Sequence, residues 1–471
     1  MLKQINRLFR FNGFPLALQI VTLGVFILLV AGGLAANTDD TAFAKVLRNT
    51  NVANLVVWSY WWPLIILSAI FLGRVWCTVC PLELMTSLAA RIGLKRKPSA
   101  FLRSGWVITA FYLLILFVGI HMLAIHRVPF RMALYMLTLV AVAVASGLLF
   151  SRNTFCAHIC PVGHLLGIYA RLAPMGWGVK DKSICSACKD KSCVSNSNAY
   201  EFQGRSCGIG LHPAHIDDNT DCLLCGQCLK ACDRAHSGLP SRPNPGWFPR
   251  RWFKDLLEIR PFTGAQAAFV FVVSGFVVYE VFTEWPVTRQ WLLWLPEWLG
   301  QSLGAHEAWS HGLATSLTLF IGLPALFWIL PYGVFRLVGG RLPLNDYLLR
   351  FGIAFIPIMA AAHIIKSLLK MTSRIPYWNY AVADPVGVDA ALGILDKTTL
   401  LAPLPVWCDP LVTVVSLIFM GIAIALSLVV VRKLIAKHLS DSGWRSALLY
   451  LIPGLYGGAF SVMLILWRVS G

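Results

Sequence analysis

Nine times between residues 15 and 467 the chain returns to an apolar run of about twenty residues, at 15–36, 52–73, 105–125, 131–150, 263–283, 312–335, 348–371, 408–431 and 446–467. A bilayer core of ~30 Å takes roughly 20 residues of helix to cross. Within lipid a helix satisfies its own backbone hydrogen bonds along a single segment. These runs predict an all-α polytopic membrane protein with about nine transmembrane helices. Only 13% of the residues are charged, against roughly 25% in ordinary soluble domains, so the chain lacks the polar surface to coat a soluble globule of 471 residues. Pro324, Pro331 and Pro357 fall inside the sixth and seventh runs and predict kinks there. The first run follows Lys3, Arg7 and Arg10 and exceeds the roughly 7–15 residues of a signal-peptide core, so it reads as a retained helix.

Lys and Arg outnumber Asp and Glu by 40 to 22. No basic helix or RNA-binding signature accompanies the excess, so nucleic acid is not an expected partner. The excess instead sits in particular loops. The segment 74–103 holds Arg74, Arg91, Lys95, Arg96, Lys97 and Arg103 against the single acid Glu83, while 284–311 and 372–407 carry more acid than base. Basic loops stay cytoplasmic, which puts the N-terminus inside and, after nine crossings, the C-terminus outside. A polar insert then falls on the cytoplasmic side, giving three domains: a four-helix membrane domain (1–175), the insert (176–262) and a five-helix membrane domain (263–471). The Trp-rich stretch 284–311 predicts a segment lying along the membrane interface.

Twelve of the thirteen cysteines fall into tight groups, leaving Cys408 alone. Such groups read as metal ligands rather than a disulfide ladder. The most specific is Cys222-x2-Cys225-x2-Cys228-x3-Cys232, in which three thiolates wrap one cubane cluster while the fourth reaches a second. A structural zinc site needs only two pairs and matches this spacing poorly. Cys185-x2-Cys188-x4-Cys193 and the more distant Cys207 supply the remaining ligands. By ferredoxin pseudo-symmetry, Cys185, Cys188, Cys193 and Cys232 would hold one [4Fe-4S] cluster and Cys207, Cys222, Cys225 and Cys228 the other.

The second and fourth apolar runs end in related sequences, Gly73-Arg74-Val75-Trp76-Cys77-Thr78-Val79-Cys80-Pro81 and Arg152-Asn153-Thr154-Phe155-Cys156-Ala157-His158-Ile159-Cys160-Pro161. Each Cys-Pro is followed by a helix-like stretch with an arginine eleven residues beyond the cysteine, Arg91 and Arg171. The two corners therefore form an internal repeat at one membrane face. Their four cysteines read as a third iron–sulfur centre, as dithiol redox pairs, or as a transient site for a soft metal ion. His158 and His164 flank the second corner and are candidate ligands or second-sphere donors.

Over residues 1–255, carried by the two Cys-Pro corners and the eight-cysteine insert, the chain resembles the NapH/NosR type of membrane polyferredoxin. That resemblance implies a bacterial inner-membrane protein with a cytoplasmic ferredoxin-like 2[4Fe-4S] domain. It would move electrons between the quinone pool and a periplasmic cytochrome or reductase, with other membrane subunits as further candidate partners. An alternative is a maturation or metal-handling factor that uses the corner thiols for a periplasmic metalloenzyme. The last five spans have no counterpart in the resemblance, which leaves room for a permease with a regulatory cluster domain.

Ionisable residues inside spans are costly and so are functional candidates. His121, His311, His363 and Lys366 all map near the extracytoplasmic helix ends. Paired histidines suit haem b, and a histidine beside an acid suits proton uptake from a quinol. His363, Lys366 and Lys370 share nearly one helix face and would also suit an anionic headgroup. No phosphate-binding loop, zinc-protease motif or dinucleotide fingerprint is present.

Overall fold

The computed structural model describes residues 2–202, 204–235, 245–302, 308–439 and 443–470. Eight helices among them are long and apolar enough to cross a membrane: Leu16–Leu34, Val52–Leu72, Pro129–Leu149, Gly264–Phe282, Trp309–Leu337, Leu344–Ala383, Cys408–His438 and Gly443–Arg468. The run expected to be the third span is a shorter apolar helix, Trp106–Met122. Its second half, Ile115–Met122, is wound as a π-helix, which rises less per residue and so shortens the reach. The chain is thus a multi-pass membrane protein, predominantly helical.

Two further helices widen to π turns, at Val57–Trp61 and Thr318–Gly322. Both widenings lie just before or within the turn that precedes a proline, Pro63 and Pro324. A proline ring crowds the carbonyl four residues back, and a wider turn relieves the clash. The widening over 115–122 has no proline after it, and π turns of that kind concentrate at functional positions.

The structure divides into two compact units, Met1–Ala31 with Ile65–Ile108 and Ala133–Asp255, and Gly32–Leu64 with Thr109–Met132 and Leu256–Gly471. In the first, strands Met175–Val179 and Pro245–Pro249 pair antiparallel. They bracket the cysteine-rich segment, and a small core of Phe9, Phe14, Trp177, Leu224, Leu229 and Trp247 packs between them and the N-terminal helix Leu2–Arg10. Asn6 ties that helix to the second strand, accepting from the Trp247 N–H at 2.9 Å and donating to its carbonyl at 3.3 Å. In the second unit the helices Phe355–Ser373 and Cys408–His438 pack closely, and Ile353–Ala362 is almost wholly buried. The Trp-rich stretch forms the helix Pro286–Ser302, with Trp291, Trp294 and Trp298 more than half exposed.

Candidate metal centres

Within the first unit the twelve clustered cysteines form three sets of four. Asp181 caps the short helix Lys182–Ala187 through the Ser183 N–H at 2.8 Å, which fixes Cys185 on the helix and Cys188 just past its end. These two, with Cys193 and with Cys232 from the helix Gln227–Ala235, line one cavity together with Lys191 and His212. Burial pushes the Cys193 thiol up to about 12, and the neighbouring Cys185, Cys188 and Cys232 sulfurs add to the shift.

The second set is shaped by its loop. Leu224 and Gly226 take left-handed φ values of 56° and 71°, so the backbone curls around the space between Cys222, Cys225 and Cys228. Cys207 acts on Cys222, Cys225 and Cys228 electrostatically, and its N–H donates to the Cys193 carbonyl at 2.8 Å. Burial raises the Cys222 and Cys228 thiols and lifts Cys225 to about 11, and Cys207 reinforces all three shifts. Trp177 Nε1 donates to Cys228 Sγ at 3.1 Å and the Leu211 N–H to Cys207 Sγ at 3.3 Å. Donors of this kind stabilise negative charge on sulfur.

The third set comes from the Cys-Pro corners. In each, a residue of positive φ stands four positions before the first cysteine, Gly73 at 71° and Arg152 at 57°. A single helical turn follows, Val75–Val79 or Thr154–His158. The second cysteine is then the N-cap of a helix that starts on proline, Pro81–Ile92 or Pro161–Tyr169. Proline suits a first helical position, and the positive end of the helix favours an anionic thiolate at the cap. Cys160 Sγ accepts from the Gly163 N–H at 3.3 Å. Burial raises Cys80 and Cys156 and takes Cys160 to about 11. Cys77, Cys80, Cys156 and Cys160 all act on one another electrostatically, so the two corners converge on one place.

Buried charge joins this third set to the second. Arg74, 5% exposed, donates to the Thr220 and Asp221 carbonyls at 2.9 and 3.1 Å, just ahead of Cys222. Its charge acts on Cys77, Cys156, Cys160 and Cys222. Thr78 Oγ1 donates to the Leu223 carbonyl at 3.0 Å. Glu83, 1% exposed, pairs with Arg205 and accepts from Asn153 Nδ2 at 2.5 Å and Gln19 Nε2 at 2.7 Å. Arg205 in turn lies near both Cys225 and Cys156. Arg74, Glu83, Arg205, Asn153, Gln19 and Trp177 were not candidates on sequence grounds. The available signal was Glu83 as the lone acid of a basic segment, three residues after Cys80.

The donor chemistry suits a polynuclear cluster. Among the described residues no group of three His, Cys, Asp or Glu side chains is placed to hold a metal ion directly, and the all-thiol donor sets are those of iron–sulfur sites. Arg74 Nε is buried without a hydrogen-bond acceptor, and a cluster with four thiolates would bring negative charge beside it. His158 and His164 lie next to this set, and burial lowers both, His164 to about 3 with Arg74 and Arg171 adding to it.

Fold and thiol sets together define a multi-pass membrane protein with an iron–sulfur binding region. A family model described as a 4Fe-4S binding domain matches residues 54–99 and again residues 132–181. Each match contains one Cys-Pro corner with its flanking helices, so the two matches coincide with the two halves of the internal repeat. No curated protein and no solved structure matches the chain significantly.

The remaining candidates lie in the second unit, in two neighbouring groups. The His121 ring stands 5.4 Å from both Tyr279 and Phe320, centroid to centroid, and within electrostatic reach of His311. His363 Nε2 is 3.4 Å from Glu280 Oε2, and Lys366 pairs with Glu284. Cys408 is buried at the start of the helix Cys408–His438, apart from the three sets.

Proposed function

We propose that this protein is an electron carrier of the bacterial inner membrane that links the quinone pool to a periplasmic cytochrome or reductase. Its N-terminus and cysteine-rich insert would face the cytoplasm. Three [4Fe-4S] clusters are assigned: one to Cys185, Cys188, Cys193 and Cys232, one to Cys207, Cys222, Cys225 and Cys228, and one to Cys77, Cys80, Cys156 and Cys160. The carrying observation is the gathering of twelve thiols into three sets of four within one compact unit, with the 4Fe-4S family match falling on the corner set.

Bound clusters would supply one-electron chemistry at potentials set by charge, hydrogen bonds to sulfur and burial. The chain supplies those settings: Arg74 and Arg205 place buried positive charge between the corner set and the Cys222 loop, and Trp177 donates to a ligand sulfur. Quinone exchange is proposed at His121 and His311, with His363 and Lys366 in the adjoining ion network. The His121 ring packs against Tyr279 and Phe320, and haem is left out of the proposal.

The thiol-exchange alternative is not favoured. A reactive dithiol needs a lowered pKa and access, whereas burial raises Cys80, Cys156 and Cys160. The test is iron and acid-labile sulfide analysis of anaerobically purified protein. Three clusters give about twelve iron per chain, and two give about eight. Cys77→Ser with Cys160→Ser should remove about four iron and end quinol-driven reduction of the remaining clusters. A colourless zinc-loaded protein would defeat the proposal, and quinol-driven reduction surviving the double substitution would remove the corners from the electron path.

A further inference from the structure

The second unit holds a concentration of positive charge that its own acids do not neutralise. Five cations act on one another there: Arg48 from the helix Thr41–Thr50, Arg127 from the turn after Trp106–Met122, Lys366 and Lys370 from Phe355–Ser373, and Arg374 at that helix's end. Glu284 and Tyr377 act on Arg48, and Glu280 and Glu284 act on Lys370.

Both carboxylates are already engaged. Lys366 Nζ pairs with Glu284 and donates to the Glu280 carbonyl at 2.5 Å. Glu280 faces His363 at 3.4 Å and Lys370 at 3.9 Å. His126 accepts from Arg127 Nε at 3.0 Å, which takes up that donor without adding negative charge. Arg48 has the least compensation. Its Nε is buried with no acceptor, and Arg374 and Arg127 face it alongside the single acid Glu284. Burial, then Arg374, pulls the guanidinium down to about 10, with Arg127 adding to the shift.

Like charges held together out of water are expensive unless a counter-charge joins them. On the loop-charge topology these five cations also lie at the extracytoplasmic helix ends, where Lys and Arg are normally sparse. We propose that Arg48, Arg127, Lys366, Lys370 and Arg374 form a binding site for an oxyanion, with Arg48 as its principal donor. The inference needs only this charge balance and stands whether or not quinone binds at His121. Phosphate chemistry of this kind has two sources, an anionic lipid headgroup or a soluble phosphate. Basic pockets between transmembrane helices suit the first, and a guanidinium fork suits either.

The test uses the full-length protein in detergent and two additives, phosphatidylglycerol and inorganic phosphate, with phosphatidylcholine as the neutral control. Lipid retention is read by native mass spectrometry and stabilisation by thermal melting. Phosphatidylglycerol should be retained at least tenfold over phosphatidylcholine, and Arg48→Gln should reduce that preference at least fivefold. Arg48→Lys should restore part of it, and Lys97→Gln, an exposed basic site elsewhere, should leave it unchanged. Stabilisation by inorganic phosphate that competes with the lipid assigns the soluble source, and lipid retention alone assigns the headgroup. In the wild type the preference should weaken with salt, which keeps the test informative if Arg48→Gln fails to fold. Equal retention of both lipids with no phosphate effect, or a preference unchanged in Arg48→Gln, would overturn the site.

Discussion

Arg74 gives the sharpest test of the site's electrostatics. A Cβ placed at Gly163 would meet Arg74 Nη2 at 3.0 Å and Cys160 Sγ at 3.6 Å, so the guanidinium lies within about 7 Å of that sulfur. At an effective dielectric of about 20, a unit charge at about 7 Å is worth about 2 kcal/mol to an added electron. Conversion at 59 mV per tenfold gives about 100 mV for a one-electron couple, and spreading the electron over a cluster brings this to about 50–100 mV. Reduction adds negative charge, so losing Arg74 disfavours the reduced form. Arg74→Gln should therefore lower the midpoint potentials of the corner centre and of the Cys222 centre. Arg74→Lys should recover much of the loss. The Cys185 centre serves as the internal control, because the charges acting most strongly on Cys193 are those of Cys185, Cys188 and Cys232. Potentiometric titration followed by electron paramagnetic resonance separates the three signals. Unchanged potentials in Arg74→Gln, or an equal shift of all three centres, would refute the placement of this charge between two centres.

Three further outcomes follow from neighbouring residues. Glu83→Gln should shift the corner centre the other way, to higher potential, while breaking a buried charge pair costs about 3–5 kcal/mol of stability, visible as a lowered melting temperature. Gly167→Ala should destabilise the insert by about 1–3 kcal/mol, since a Cβ there runs into the Thr220 carbonyl, and proteolysis within 180–235 should accelerate. Trp177→Phe removes the donor to Cys228 and should lower the potential of that centre alone, with the iron content unchanged.

The parts of this molecule that are periodic or closely spaced could be read from the chain. Apolar runs announced the helices, and the spacing from Cys222 to Cys232 implied a ligand exchange between two sets. The structure gathers Cys232 with Cys185, Cys188 and Cys193 around one cavity. What the chain did not disclose depends on long-range contact. Glu83 reads as one acid in a basic loop, and only folding brings Gln19, Asn153 and Arg205 onto its two oxygens. Arg74 reads as an orientation charge of the kind that lines cytoplasmic loops, and nothing in the sequence singles out Arg205, yet both are under a tenth exposed. The third apolar run gave no sign of its π winding, because no proline follows it.

The repeat explains why the network is asymmetric. Arg74 and Asn153 occupy the same place in the two halves, each directly after a residue of positive φ and three before the first cysteine. One half uses that position to grip the insert, through the Thr220 and Asp221 carbonyls. The other uses it to reach across to the first half, through Glu83. Glu83 then receives Gln19 from the first long helix and Arg205 from the insert, so four separate segments meet on one carboxylate. Each such charge-assisted bond contributes about 1.5–3 kcal/mol. Two duplicated corners could have stood as independent sites. Divergence at a single matched position instead ties the corner set, the Cys222 loop and the first helix together, as the proposed relay of neighbouring centres would require.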